Sequence, residues 1–260
     1  DWSSDVCSSD LVGYALYACP GSKELGENIS TVFAEGYNTV LLENHGVAIC
    51  GGHLFEAFMR FETLDFCARL IIKAGSLGSA KSLSEEQLSM SKGDRHLLPE
   101  NDAVPHSSAE LELRRQMIEM IHRAYDQMLI TSTEGTFSVR VDDSAYLITP
   151  YGFDRRYMSE GDLVLIRDGR REQGKVPSRS VFLHEKIYTM HPEINAVVIA
   201  HPPNIMAFGV SHTPFSTLII PENYVLLRDV PSLPFGYQYN EVDSVAKLLS
   251  ESNPAVIIEN

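Results

Sequence analysis

The sequence predicts an α/β protein, and three observations carry that reading. Apolar residues recur at helical spacing in five separate stretches. Short runs rich in Val, Ile and Leu, too brief for helices, lie between those stretches and read as strands. The composition, 44% hydrophobic and 22% charged over 260 residues, is that of an ordinary globular chain.

The same composition excludes several function classes. A net charge of −14 argues against a nucleic-acid or anionic-membrane partner, both of which need a basic face. No apolar run approaches the roughly 18 residues of a bilayer-spanning helix. The four cysteines, at 7, 19, 50 and 67, show no CxxC pairing, which makes a reducing cytoplasm the expected compartment.

Residues 1–11 read DWSSDVCSSDL, with no apolar periodicity and no signal-peptide character. The string resembles the conceptual translation of a common short-read sequencing adapter. On that expectation Trp2 and Cys7 are not native, the native sequence starts near Val12, and the chain is cut short at Asn260 as well. Removing Asp1, Asp5 and Asp10, with no basic residue lost, moves the net charge from −14 to −11.

Residues 22–35 are predicted as a helix with Leu25, Ile29, Val32 and Phe33 on one face. A strand over 39–42 runs into Glu43-Asn-His-Gly46, and a second apolar run follows over 47–50. A long amphipathic helix is expected over 53–74, with Leu54, Ala57, Phe61, Leu64, Ala68 and Ile71 inward. Gly, Ser, Lys and Glu dominate 75–108, the composition of a linker. Ser107-Ser-Ala-Glu110 has capping-box spacing and opens a helix carrying Leu111, Ile118, Ile121, Tyr125 and Met128 inward. Residues 137–141 and 145–149 read as a hairpin, and 163–167 as a strand. A helix over 179–190 lines up Val181, His184, Ile187 and Tyr188. Residues 196–200 read as a buried strand, 218–220 as another, and 240–250 as a last helix.

The end of the chain echoes its beginning. At an offset of 216, Val256-Ile-Ile-Glu-Asn260 pairs with Val40-Leu-Leu-Glu-Asn44, and Val245, Leu248 and Leu249 fall on Ile29, Val32 and Phe33. The shared order of helix, turn and strand points to a tandem duplication. The expected organisation is 12–74 as the C-terminal part of a first domain, 75–108 as a linker, and 109–260 as two-thirds or more of a second.

Residues able to carry chemistry are few. His45 breaks a strand beside Glu43 and Asn44, and His201 follows Val197-Val-Ile-Ala200; each is a turn histidine or a metal ligand. Glu134-Gly-Thr-Phe-Ser138 places a glycine and two hydroxyls before a strand, and Lys175-Val-Pro-Ser-Arg-Ser180 opens a helix. Unpaired N–H groups and the helix dipole favour an anion at such a position; an ordinary N-cap at Ser178 is the alternative. His184, Glu185 and His191, with no HExxH pattern, read as packing or surface residues.

Taken in order, five segments resemble the class II aldolase/adducin family: Gly135-Thr-Phe-Ser138, Leu147-Ile-Thr-Pro-Tyr-Gly152, Gly174-Lys-Val-Pro-Ser178, Ala196-Val-Val-Ile-Ala-His201 and Leu41-Leu-Glu-Asn-His-Gly46. The resemblance implies a three-layer α/β/α sandwich on a largely antiparallel central sheet, usually in a homo-oligomer. It implies zinc or another divalent metal held by three histidines, with a carboxylate for proton transfer and a small anionic sugar derivative, often a phosphate, as substrate. Retro-aldol cleavage, epimerisation and dehydration all use a metal-bound enediolate in this superfamily. Carried across, metal ligation falls to His45 and His201, and phosphate or substrate binding to Gly135, Thr136, Ser138, Tyr151, Gly152, Ser178 and Arg179. The departures are specific. The family's glutamate position holds Ser180, so the catalytic residue stays unassigned, and the first histidine of a His-x-His pair is replaced by Ile199. Neither replacement can do the original's work, which makes the second domain by itself an expected non-aldolase. The alternative is a non-catalytic binding or assembly module like the adducin head.

Overall fold

The computed structural model describes residues 12–91, 98–102, 105–250 and 252–259; the adapter-like stretch lies outside them. The chain divides into two compact units, Asp1–Cys67 and Ala68–Asn260.

In the first unit, β1 (Val12–Ala15) is followed by α1 (Lys23–Ala34), β2 (Thr39–Leu42) and β3 (Gly46–Ile49). Ser22 caps α1 by accepting from the Leu25 N–H at 3.1 Å, satisfying a donor the first turn leaves open. β1 runs parallel to β2, and β2 antiparallel to β3. The core is Ala15, Val32 and Val40, closed by Ile29, Phe33, Tyr37 and Leu42, so the predicted face of α1 is the one that packs.

The long helix α2 (Leu54–Gly75) forms where the periodicity places it. Its apolar stripe is not covered, however: Leu54, Phe61 and Ile71 are exposed, and the buried residues are Met59 and Ala74. Periodicity reports which residues share a face, and not whether another element lies over it.

The stretch expected as a linker contains α3 (Glu85–Ser91). Farther on, Leu98 is buried among Tyr146, Ile148, Val164 and Ile166.

The second unit is built on α4 (Ser108–Asp126), the hairpin β4 (Thr136–Asp142) and β5 (Ala145–Ile148), then β6 (Val164–Arg167), β7 (Arg170–Arg171), α5 (Val181–Met190) and β8 (Ala196–Ile199). The strands form one antiparallel sheet in the order β7-β6-β5-β4-β8. Its two faces separate by the two-residue period of a strand. Ala145, Leu147 and Leu165 pack on Met117, Ile118 and Ile121 of α4. Tyr146, Ile148, Val164 and Ile166 pack on Val181 and Tyr188 of α5. Helix, sheet and helix thus make the three layers, and each fully buried aliphatic side chain contributes about 1.5–3 kcal/mol.

Residues 98–101 lie along β7: Asn101 N–H donates to Arg171 O at 2.8 Å, and Arg171 N–H to Pro99 O at 2.9 Å. This covers an edge that would otherwise present free backbone groups.

The chain continues through α6 (Pro203–Ser211), α7 (Pro221–Leu227), β9 (Ser232–Leu233), α8 (Tyr237–Asn240), α9 (Val242–Leu248) and β10 (Ile257–Ile258). β9 and β10 pair in parallel, and Val245 and Ala246 of α9 pack on Leu183 and Ile187 of α5. The order β9, α9, β10 thus has the form of β1, α1, β2 in the first unit.

Four predicted details differ. Residues 218–220 form a turn, because Pro221 starts α7 with Ile220 as its N-cap. β8 is an edge strand with Val198 exposed, and not a buried one. Leu111 is exposed on α4, and Met128, also exposed, lies beyond the helix at φ +57°. In their place α4 buries the polar pair Glu110 and Arg114.

Candidate anion-binding site

Three segments of the second unit are drawn together by backbone hydrogen bonds. Thr149 N–H donates to Phe137 O at 3.0 Å, Ser178 N–H to Thr149 O at 3.0 Å, and Tyr151 N–H to Val176 O at 3.0 Å. The start of β4, the turn after β5 and the loop before α5 therefore meet at one end of the sheet. At that meeting Thr136 Oγ1 lies 2.7 Å from Ser178 Oγ, which is 3.1 Å from Ser180 Oγ.

Gly135 makes the approach possible. Its φ is +95°, and a Cβ there would stand 2.5 Å from Ile130 Cγ2. Only glycine adopts that conformation without strain and leaves the space Ile130 occupies.

Beneath this loop lies Arg155, only 2% exposed. Its Nε donates to Gly135 O at 3.1 Å and its Nη1 to Phe153 O at 2.9 Å. Burial pushes the guanidinium down to about 10, so it stays charged at neutral pH. Nothing in the sequence marks Arg155 for burial, since Asp154-Arg155-Arg156 is a run of charged residues between strands. The one local signal is the aspartate, whose Oδ1 accepts from the Arg156 N–H at 2.8 Å and tightens the bend.

The predicted binding residues separate into groups. Gly135, Thr136 and Ser178 come together, and Tyr151 and Gly152 lie on the joined turn, with Gly152 at φ +70°. Arg179 is exposed beside them. Ser138 is sealed: its Oγ lies 2.7 Å from His184 Nδ1 and 2.7 Å from Tyr188 OH, and its residue is 3% exposed. Burial pushes His184 down to about 3, keeping the ring neutral, and pushes the Tyr188 phenol up to about 12. His184 Nε2 is buried and without a partner among the described residues.

His45 sits in the turn joining β2 to β3 in the first unit, exposed, with its N–H donating to Leu42 O at 3.0 Å. His201 follows β8, just before α6. Its Nδ1 is buried and has no hydrogen-bond partner among the described residues.

The sequence profile described as Class II Aldolase and Adducin N-terminal domain matches residues 2–72 and 115–260. The chain belongs to this family. Methylthioribulose-1-phosphate dehydratase of Serratia proteamaculans is 30% identical over 116 residues, 44% of this class II aldolase-family chain and 53% of that protein. L-fuculose phosphate aldolase of Escherichia coli is 32% identical over 155 residues, 57% of this chain and 70% of the relative. The chain thus spans about half of the first relative's length and seven-tenths of the second's. A crystal structure of an aldolase II superfamily protein from Pseudomonas syringae shares the fold, with a TM-score of 0.50 at 18% identity over 60% of this chain and 66% of that one.

The family's metal is poorly served by the second unit of this class II aldolase-family chain. The orphaned nitrogen of His201 suits a ligand, but the residue two before it is Ile199. Ser180 hydrogen-bonds Ser178 where the resemblance expects a glutamate. Among the described residues no three His, Cys, Asp or Glu side chains group together as a metal would need. The donor set therefore does not fit. No described helix is long and apolar enough to cross a membrane.

Proposed function

We propose that the chain is part of an aldolase-type protein acting on a small anionic sugar derivative, and that its second unit binds the anion without performing the chemistry. The observation that supports this is the convergence of the Thr136, Ser178 and Ser180 hydroxyls next to the Gly135 carbonyl that the buried Arg155 holds, with serine and isoleucine at the expected carboxylate and histidine positions. Hydroxyl and N–H donors over a fixed cation are a site for phosphate or carboxylate. Proton transfer needs a group that titrates near neutrality, and a serine hydroxyl does not.

On this reading retro-aldol activity of the whole protein depends on the copy to which His45 belongs, with zinc or a similar divalent cation in that copy. A cytoplasmic homo-oligomer is the expected setting. Exposed, free thiols at Cys19 and Cys50 agree with a reducing compartment. The test is to measure zinc content and sugar-phosphate cleavage in the whole protein and in its His45→Ala and His201→Ala variants. Loss of activity and metal on His45→Ala, with His201→Ala unaffected, is the expected result; the reverse pattern overturns the reading.

Ile199 also favours a second reading, a binding or assembly module related to the adducin head. Bound phosphate without zinc or turnover in the whole protein would select it. Epimerisation and dehydration share the enediolate and are separated from cleavage by the product formed.

A further inference from the structure

Away from the hydroxyl cluster, the end of α7 and the turn before β10 enclose an open cavity of about 400 Å³. Phe215, Arg228, Asp229, Val230, Pro231 and Asn253 line it, and none of them belongs to the candidate anion site.

Two independent features mark this cavity. The first is backbone strain. Arg228 has φ 51° and ψ −140°, a conformation that suits glycine. It is held from both sides: its N–H donates to Tyr224 O at 2.9 Å, and the buried Thr217 hydroxyl donates to its carbonyl at 2.5 Å. Strained non-glycine residues persist where the surroundings over-determine them, and they gather at ligand clamps.

The second feature is a set of polar groups whose hydrogen-bonding or ion-pairing capacity is left open among the described residues. Asn253 Nδ2 donates to Leu248 O at 2.6 Å, which fixes the amide and leaves Oδ1 buried with no donor among the described residues. The Arg228 guanidinium lies 5.5 Å from the Tyr224 ring centroid, with no ion pair or hydrogen bond among the described residues. The Asp229 carboxylate has none either. A buried acceptor left open is costly, and a ligand that donates to it recovers that cost.

We propose that this cavity binds a free α-amino acid with an apolar side chain. A simple anion would face Asp229, and a simple cation would face Arg228. A zwitterion pairs its carboxylate with Arg228 and its ammonium with Asp229, and a further ammonium N–H reaches Asn253 Oδ1. Phe215, Val230 and Pro231 supply the apolar contact for the side chain. The site stands independently of the sugar-derivative reading, because the two share no residue.

The test titrates the full chain by calorimetry with L-leucine and L-phenylalanine, with 3-methylbutylamine and 4-methylpentanoate as single-charge analogues of leucine, and with glucose as a neutral polyol. The expected result is binding of at least one amino acid, with both analogues and glucose weaker by about 30-fold or more, the loss of one charge-assisted contact. Arg228→Gly should weaken binding by a similar factor while leaving the Tm unchanged or higher, because it releases the strain. Asp229→Asn, at an exposed position, tests the ammonium contact without touching the backbone. Binding of glucose in place of amino acids, equal affinity for the single-charge analogues, no binding at all, or unchanged affinity in Asp229→Asn would each overturn the proposal.

Discussion

Thr136 Oγ1 stands 2.7 Å from Ser178 Oγ across 42 residues of sequence, tying the first residue of β4 to the loop that opens α5. Either hydroxyl can turn its proton toward a bound anion. Thr136→Val keeps the shape and removes the donor. It should lower affinity for inorganic phosphate about 5- to 10-fold, the worth of one hydrogen bond, with little change in Tm. Unchanged affinity would remove Thr136 from the site.

Gly135→Ala should destabilise the protein by about 2–4 kcal/mol, through its positive φ and the clash with Ile130. Urea unfolding measures the loss. A companion change, Ile130→Ala, creates room without relieving φ, so only part of the penalty should return in the double variant. Full recovery would show that backbone strain contributes nothing.

Much of the fold and part of this site were legible in the sequence, and the reasons differ by residue. The β4–β5 hairpin, α1 and the inward face of α5 follow from period-two and period-3.6 patterns, which the chain obeys wherever one element covers another. Gly135, Thr136 and Ser178 stood out as glycine and hydroxyl residues at a strand start and a helix start, a pattern that for Ser178 also fits an ordinary N-cap. Arg155 was not, since a charged residue in a polar turn carries no mark of burial. The exposed stripe of α2 and the turn at 218–220 were missed because apolar residues alone do not reveal what covers them, and a following proline turns a strand-like run into a helix start.

Arg114 is a second case of hidden burial. Glu110 and Arg114 stand one helical turn apart on α4, and both are only 2% exposed. Arg114 Nη2 meets Glu110 Oε1 at 2.8 Å and Glu172 Oε2 at 2.9 Å, while its Nη1 caps the carbonyls of Glu160 and Leu163. Burial opposes ionisation of Glu172, but hydrogen bonds from Lys175, the Leu165 N–H and Arg114 hold its carboxyl below the usual range. Arg114→Met leaves the buried Glu110 carboxylate and half-buried Glu172 without this partner. It should cost about 3–5 kcal/mol in denaturant unfolding. A loss under 1 kcal/mol would mean the cluster relaxes into water.

His184 makes the fold sensitive to acid. Its folded pKa, lowered by burial to about 3, lies below the ordinary 6.5. Between those values the unfolded chain takes up a proton that the fold refuses, so stability is complete above about pH 6.5 and falls as pH drops. This group should remove about 2 kcal/mol between pH 7.5 and pH 5. In His184→Gln, which keeps an acceptor for Ser138 without titrating, the slope over that range should flatten. Equal slopes in both proteins would assign the acid sensitivity elsewhere.

Anion capture by the second unit needs only its own hydroxyls and the Arg155 charge, with no metal, and a phosphate titration distinguishes this from metal-dependent capture. Inorganic phosphate is titrated into the full chain by calorimetry, with and without EDTA, alongside Arg155→Lys. The expected result is binding that EDTA leaves unchanged and Arg155→Lys weakens, because lysine cannot hold both the Gly135 and Phe153 carbonyls in one plane. Binding abolished by EDTA, or indifferent to Arg155→Lys, would contradict it.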